Sequence, residues 1–217
     1  MIRENVQTIL KELPPHVTLE AAAKTRTLDE ILEAIDAGIT IIGHNYVQEA
    51  VAVADAIRGK ASLHFIGHLQ RNKVKKAVEV CDMIETVDSL KLAGEIDKRC
   101  GQIGKMMPIL IEVNSGRESQ KYGVLPENLD DLIRTISELK HVRIKGLMTM
   151  GAFSDEPEVV RPYFKETSEC FQRVKNNPIE GVDMEILSMG MSGSYQTAIE
   201  ECANLIRIGT GVFGPRH

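Results

Sequence analysis

Lys24 ends the first apolar run of the chain, HVTLEAAAK over residues 16–24, and two segments near the far end, SMGMSGS (188–194) and RIGTGVFG (207–214), are rich in small residues and hydroxyls. Small residues let backbone amides crowd around a phosphate, and an amine opposite such a cradle can form an imine with an aldehyde. The pattern therefore points to a lysine-bound aldehyde with a phosphate tail. Three alanines precede Lys24, leaving room above a core. In a partly apolar mouth an ammonium loses its charge readily, and the free amine can then attack a carbonyl. At the other end the Ser192 hydroxyl and the amides of Gly193, Gly209 and Thr210 offer four donors to one dianion. Taken singly, either glycine segment could serve only as a tight turn.

These groups must be positioned by regular elements. Eight apolar runs rich in β-branched residues recur, at 17–23, 40–46, 63–68, 83–88, 107–114, 142–150, 184–190 and 205–211. Between them lie segments of helical period, among them LDEILEAIDAG (28–38), YVQEAVAVADAI (46–57), LKLAGEIDKRC (90–100) and LPENLDDLIRTISELK (125–140). Helix punctuation agrees: Thr27 with Glu30 reads as a capping box, Gly38 as a stop, and Ser89 as a start. Strict alternation implies a parallel sheet covered by helices, and eight repeats favour closure. The expected fold is α/β, one (β/α)8 TIM barrel with an extra N-terminal helix, a single domain over 1–217. That helix, residues 2–12, is expected to lid the N-terminal face of the barrel. The stretch SDEPEVVRPYF (154–164), with two prolines, reads as a mobile loop before a long helix.

In such a barrel the chemistry sits at the C-terminal strand ends, which selects Lys24, Asn45, His68, Asn114, Met150, Ser192, Gly209 and Thr210. Lys145, mid-strand, is a rival imine former ranked below Lys24. His64 and His68, with Gln70, Asn72 and Lys73, stand near the expected mouth and could gate it or order solvent, although His64 reads equally well as a core histidine. RNKVKK (71–76) reads as a solvated helix face.

Composition narrows the function classes. Hydrophobic residues at 43% and charged residues at 26% are ordinary for a globular domain, so neither disorder nor a fibrous class is indicated. A net charge of −5 and a pI near 5.7 disfavour a nucleic-acid partner, whose phosphates call for clustered Lys and Arg. No apolar run approaches the roughly 18 residues that span a bilayer, and the amphipathic start is unlike a signal sequence, so a cytoplasmic location without membrane contact is expected. Cys81, Cys100, Cys170 and Cys202 are scattered and read as reduced thiols, with no zinc-ligand spacing and so no expected metal.

The motifs AAAKT, GHNYVQE, HFIGHLQRNK, VNSGRESQKYG, GLMTMGAF, LSMGMS and RIGTGVFGPR follow one another along nearly the whole chain. In these the chain resembles the YggS/PROSC family of pyridoxal phosphate homeostasis proteins, which look like the barrel domain of alanine racemase standing alone. The resemblance implies pyridoxal 5′-phosphate (PLP) held as an internal aldimine on Lys24. It further implies Ser192, Gly209 and Thr210 at the phosphate, Arg207 facing the pyridine nitrogen, and Asn45 and Met150 lining the ring. By local sequence alone Arg207 could equally be a salt-bridged strand residue. Family analogy also brings Lys121 to the mouth, where its own sequence suggests a surface loop. The chain departs from its relatives at His44 in place of Glu, at Leu63 in place of Trp, and at Gly193-Ser194 in place of an acidic residue, with Ser194 itself a competent helix cap.

Three functions compete. A carrier would hold PLP in vitamin B6 homeostasis and deliver it to PLP-dependent apoenzymes, without catalytic turnover and as a monomer. A small amino-acid racemase would need a base on each face of the α-carbon, and no second base is evident; few residues follow the last strand to form the further domain of racemases. A Schiff-base aldolase would use either lysine and the same phosphate pocket.

Overall fold

Eight parallel strands close on themselves in chain order, each hydrogen-bonded to the next and the last to the first. The computed structural model describes residues 1–151, 154 and 156–215. The strands are β1 (Thr18–Ala22), β2 (Ile41–His44), β3 (Ser62–Phe65), β4 (Met83–Val87), β5 (Met107–Glu112), β6 (Val142–Met148), β7 (Val182–Ser188) and β8 (Leu205–Ile208). Around them run α1 (Ile2–Glu12), α2 (Leu28–Asp36), α3 (Val47–Ile57), α4 (Val74–Val80), α5 (Leu90–Ile103), α6 (Leu129–Ser137), α7 (Pro157–Asn176), α8 (Tyr195–Glu200) and the single turn α9 (Thr210–Phe213). The expected (β/α)8 barrel is therefore the observed fold.

Local chemistry explains the element ends. Thr27 and Glu30 form the capping box in both directions, so two otherwise unpaired amides at the start of α2 are satisfied. The hydrogen bond to the Thr27 amide holds the Glu30 carboxyl below its usual range. Ser89 precedes α5 as expected but makes no side-chain cap bond. Along α6, Leu129, Ile133 and Ile136 recur at helical spacing and are all fully buried, each burial contributing roughly 1.5–3 kcal/mol. Gly146 has φ +149°, and a Cβ there would overlap the Ile186 carbonyl; this is where the register of β6 against β7 shifts.

Two expectations about the periphery are corrected. The helix at the N-terminus does not lid the barrel floor. It packs in the outer ring against α2 and α9, with the Asn5 side-chain amide donating to the Val212 carbonyl at 3.1 Å. Among the described residues β8 is followed by the one-turn α9, and α1 packs beside it. The loop expected over 154–164 is helical from Pro157, because a proline at the first helical position lacks only a donor that has no partner there anyway. Pro162 lies inside the same helix. Positions 152, 153 and 155 of that connection lie outside the described residues, as do the last two of the RIGTGVFGPRH end. Among the described residues no helix is long and apolar enough to cross a membrane. The four cysteines are free; Cys81, Cys100 and Cys170 are buried, and burial pushes the Cys81 thiol up to about 12.

The apolar core lies between sheet and helices. Ile42, Leu63, Phe65, Ile84, Ile109, Ile144, Ile206 and Ile208 point outward from their strands into it. The barrel lumen is different: its apolar part is a separate small cluster of Met83, Leu110 and Met148, with Met150 and Ile186 against it.

Candidate functional site

At the C-terminal end of the barrel a cavity of about 730 Å³ is lined by Ala22, Lys24, Asn45, Ile66, Met150, Ser154, Met191 to Ser194, Arg207, Gly209 and Thr210. Lys24, Asn45, Met150, Ser192, Gly193, Arg207, Gly209 and Thr210 therefore share one chamber, whereas His68 and Asn114, also expected there, do not line it. Those that share it arrive from five strand ends because parallel strands all deliver their following loops to the same rim.

Lys24 stands two residues beyond Ala22 and is half-buried, its Nζ 5.2 Å from the centroid of the Tyr46 ring. It also lines a side cleft of about 460 Å³ with Tyr46, His68, Gln70 and Lys73. The next residue, Thr25, is held at φ +62°, its amide donating to Glu49 Oε2 at 3.2 Å. The same Glu49 oxygen lies 3.3 Å from His44 Nδ1. Burial lowers the His44 pKa despite Glu49, and the shared Glu49 oxygen ties this imidazole to the turn behind Lys24. The rival Lys145 is tied on the outside of β6 to Asp183 at 3.0 Å and Glu185 at 3.2 Å, and these bonds raise its pKa, which leaves it no role as a free amine.

Opposite Lys24 the Thr210 hydroxyl donates to Ser192 Oγ at 3.2 Å and the Gly211 amide donates to the same oxygen at 3.3 Å. Two hydroxyls and an amide thus converge at the opening of α9, a donor set suited to a phosphate. Ser194 does not cap α8: its hydroxyl accepts from the Met191 amide at 3.2 Å and so closes the 191–194 turn instead.

Arg207 is buried and enters the chamber from below. Its Nη1 donates to Ser188 Oγ, and its Nη2 donates to the Thr149 carbonyl at 2.8 Å and lies 3.8 Å from Met150 Sδ. It is not a surface salt-bridged arginine. Lys121 donates to the Gly151 carbonyl at 2.9 Å and to Glu118, at a smaller cavity of about 210 Å³ that shares Met150 with the main one. His68 stacks on Tyr122 with centroids 3.5 Å apart. Asn114 is a turn organiser, accepting from the Glu118 amide and donating to the Glu118 carbonyl. His64 sits below the mouth, inside the barrel, its Nδ1 2.8 Å from Glu85 Oε1.

Sequence reasoning passed over Glu20, Glu85, Glu112, Thr149 and Ser188, all buried in or around the lumen. A signal was there: each glutamate follows a leucine or isoleucine inside an apolar run, as in Leu19-Glu20, Ile84-Glu85 and Ile111-Glu112. In a strand the residue after an outward apolar one points inward, so each acid had to enter the barrel. Burial, with Asp88 adding and Arg207 opposing, pushes the Glu112 carboxyl up to about 7.

A closed parallel barrel whose rim gathers a lysine, a buried arginine and a converging set of hydroxyl and amide donors in one chamber defines a class, the lysine-bearing parallel barrels. Residues 1–217 match the family model for the N-terminal domain of alanine racemase. The chain is 40% identical to the pyridoxal phosphate homeostasis protein of Aquifex aeolicus, covering 91% of this chain and 86% of that one. PipY of Synechococcus elongatus superimposes with a TM-score of 0.92 without PLP (32% identical) and 0.86 with PLP bound (31% identical), each covering 99% of this chain and 100% of PipY. The chain belongs to the alanine racemase N-terminal domain family, within its group of pyridoxal phosphate homeostasis proteins.

Proposed function

We propose that the protein binds PLP covalently through Lys24 and serves intracellular vitamin B6 homeostasis as a carrier, without catalytic turnover. The observation that carries this reading is the single chamber that gathers Lys24, Asn45, Met150, Ser192, Gly193, Arg207, Gly209 and Thr210. PLP supplies an aldehyde carbon, an aromatic ring with a basic nitrogen, and a phosphate dianion. Each has a counterpart here. The Ser192 and Thr210 hydroxyls, with amides of Gly193, Gly209 and Thr210, would hold the phosphate. Asn45 and Met150 would line the ring, and Lys24 Nζ would be the amine to meet the aldehyde carbon, whose oxygen would leave as water.

Arg207 would face the ring nitrogen and could only donate to it. A guanidinium has donors and no acceptor, so it cannot draw a proton onto that nitrogen as a carboxylate does. The ring is then a weak electron sink, which suits holding over turnover. The arrangement is that of one barrel domain over 1–217, acting as a cytoplasmic monomer that passes PLP to PLP-dependent apoenzymes.

The test is spectral. Protein incubated with PLP should turn yellow, and borohydride followed by peptide mapping should place the fixed adduct on Lys24. A colourless protein, or an adduct elsewhere, would overturn the reading. Measurable proton exchange at the α-carbon of amino acids would replace the carrier with a racemase.

A further inference from the structure

The lumen beneath the chamber holds Glu20, Glu85, His64 and Arg207, each at most 4% exposed. Barrel interiors are ordinarily packed with bulky branched side chains, so a charged layer here needs a physical account. Glu85 is fully supplied: Oε1 lies 2.8 Å from His64 Nδ1, and Oε2 accepts from the Ser188 hydroxyl at 2.7 Å. Ser188 in turn accepts from Arg207. Glu20 is the opposite case. It is 0% exposed, both its oxygens lack a hydrogen-bond partner, and it lies in one cluster with His64 and Glu85 whose polar atoms are within 4.8 Å of one another.

The elements around Glu20 supply one guanidinium against two carboxyls. Arg207 is its register partner on β8, Glu85 faces it from β4 and His64 from β3, while β2 offers only Gly43. An unpaired carboxylate in a dry interior is far costlier than a neutral acid, and two carboxylates sharing a site cannot both ionise readily. The space for Glu20 is also built: a Cβ on Gly43 would overlap its carboxyl and come within 2.7 Å of Ile66.

We propose that Glu20 and Glu85 hold one proton between them, resident on Glu20, and that this acid pair positions Arg207 for the ring nitrogen. The second half of this proposal rests on the PLP reading; the first does not. With the proton in place, Glu85 carries the one negative charge, and Ser188 passes its pull to a guanidinium held up at Thr149. If Glu20 ionises at alkaline pH, a second charge beside Arg207 draws the guanidinium down into the lumen. Burial and the neighbouring Glu85 both hold the Glu20 proton well above the usual carboxylate range.

The experiment has two arms. In the protein without PLP, infrared difference spectra at neutral pH should show protonated-carboxyl absorption with two components, one removed by Glu20→Gln and kept in Glu112→Gln, the other belonging to Glu112 and removed by Glu112→Gln. Absorption that keeps both components in Glu20→Gln overturns the proton assignment. So does elemental analysis finding one equivalent of divalent metal that Glu20→Gln loses, since the cluster would then be a metal site. If Glu20→Gln does not fold, Glu20→Ala must remove the same component. In the PLP-loaded protein, the visible absorption of wild type should show an alkaline transition that Glu20→Gln lacks; identical pH profiles overturn the positioning role. Failure to load PLP at all would sink the functional reading and leave the infrared result standing.

Discussion

The shell between sheet and helices and the lumen inside the sheet are made of different materials. The shell is a continuous apolar cluster to which every strand contributes, with Phe65, Ile84, Ile109 and Phe164 almost wholly buried. Among the described residues the lumen has a small apolar cluster of Met83, Leu110 and Met148, and beside it a hydrogen-bonded chain from His64 through Glu85 and Ser188 to Arg207. The contrast separates two tasks. Burial of apolar area is non-directional and can stabilise the barrel from its outside alone. Directional bonds and buried charge add little net stability but fix where a guanidinium points.

Substitutions on either side can break that division. The largest effect is all-or-none: Lys24→Ala should abolish the borohydride-fixed PLP adduct, and Lys145→Ala should retain it, because Lys145 is held outside the barrel by Asp183 and Glu185. Retention of the adduct in Lys24→Ala would show that the two lysines are wrongly ranked.

Next is the shell. Phe164→Ala should cost about 3–5 kcal/mol in urea unfolding while leaving the spectrum of bound PLP unaltered. A smaller change in stability with a shifted spectrum would mean that shell and lumen are not separate.

Gly43→Ala probes the lumen by crowding the Glu20 carboxyl, with an expected cost of about 1–3 kcal/mol. Adding Glu20→Ala should recover part of that loss; strictly additive penalties would show that the two residues do not compete for the same space.

A gentler probe is pH. Glu112 is raised from 4.5 to about 7 in the folded state, so between those values the folded chain binds the extra proton. Stability from this group is present below about 4.5 and falls as pH rises through about 7, by at most about 1.4 kcal/mol per unit. Glu112→Gln should flatten that slope in denaturation series across the window, and an unchanged slope would place the titration elsewhere.

The smallest effect belongs to the periphery. Thr27→Ala should remove about 1 kcal/mol by opening the capping box of α2. The Glu30 half of that box has a lowered folded pKa, so its contribution is present above 4.5 and is lost as pH falls through the lower folded value. Thermal melts of Glu30→Ala at pH 7 and at pH 3 should therefore differ less from each other than those of wild type.

Much was legible from order and type along the chain. Apolar β-branched runs alternating with segments of helical period, a reciprocal Thr27 and Glu30, and small residues at 188–194 and 207–214 were enough for a closed barrel that gathers a lysine and both small-residue segments at one rim. Those inferences depend on local propensity and on the rule that parallel strands send their loops to one end, both of which are properties of sequence. The placement of α1 beside α9, the burial of His64 against Glu85, and the use of Ser194 to hold Met191 were settled by the tertiary structure. The physical reason for the first two is that each depends on a partner far along the chain, 21 residues away for His64 and Glu85 and 207 for Asn5 and Val212. Whether a carboxyl is an exposed charge or a buried acid is decided by which residues the closed sheet turns toward it. Glu20 reads as one more polar residue in an apolar run until Arg207, Glu85 and Gly43 are set around it.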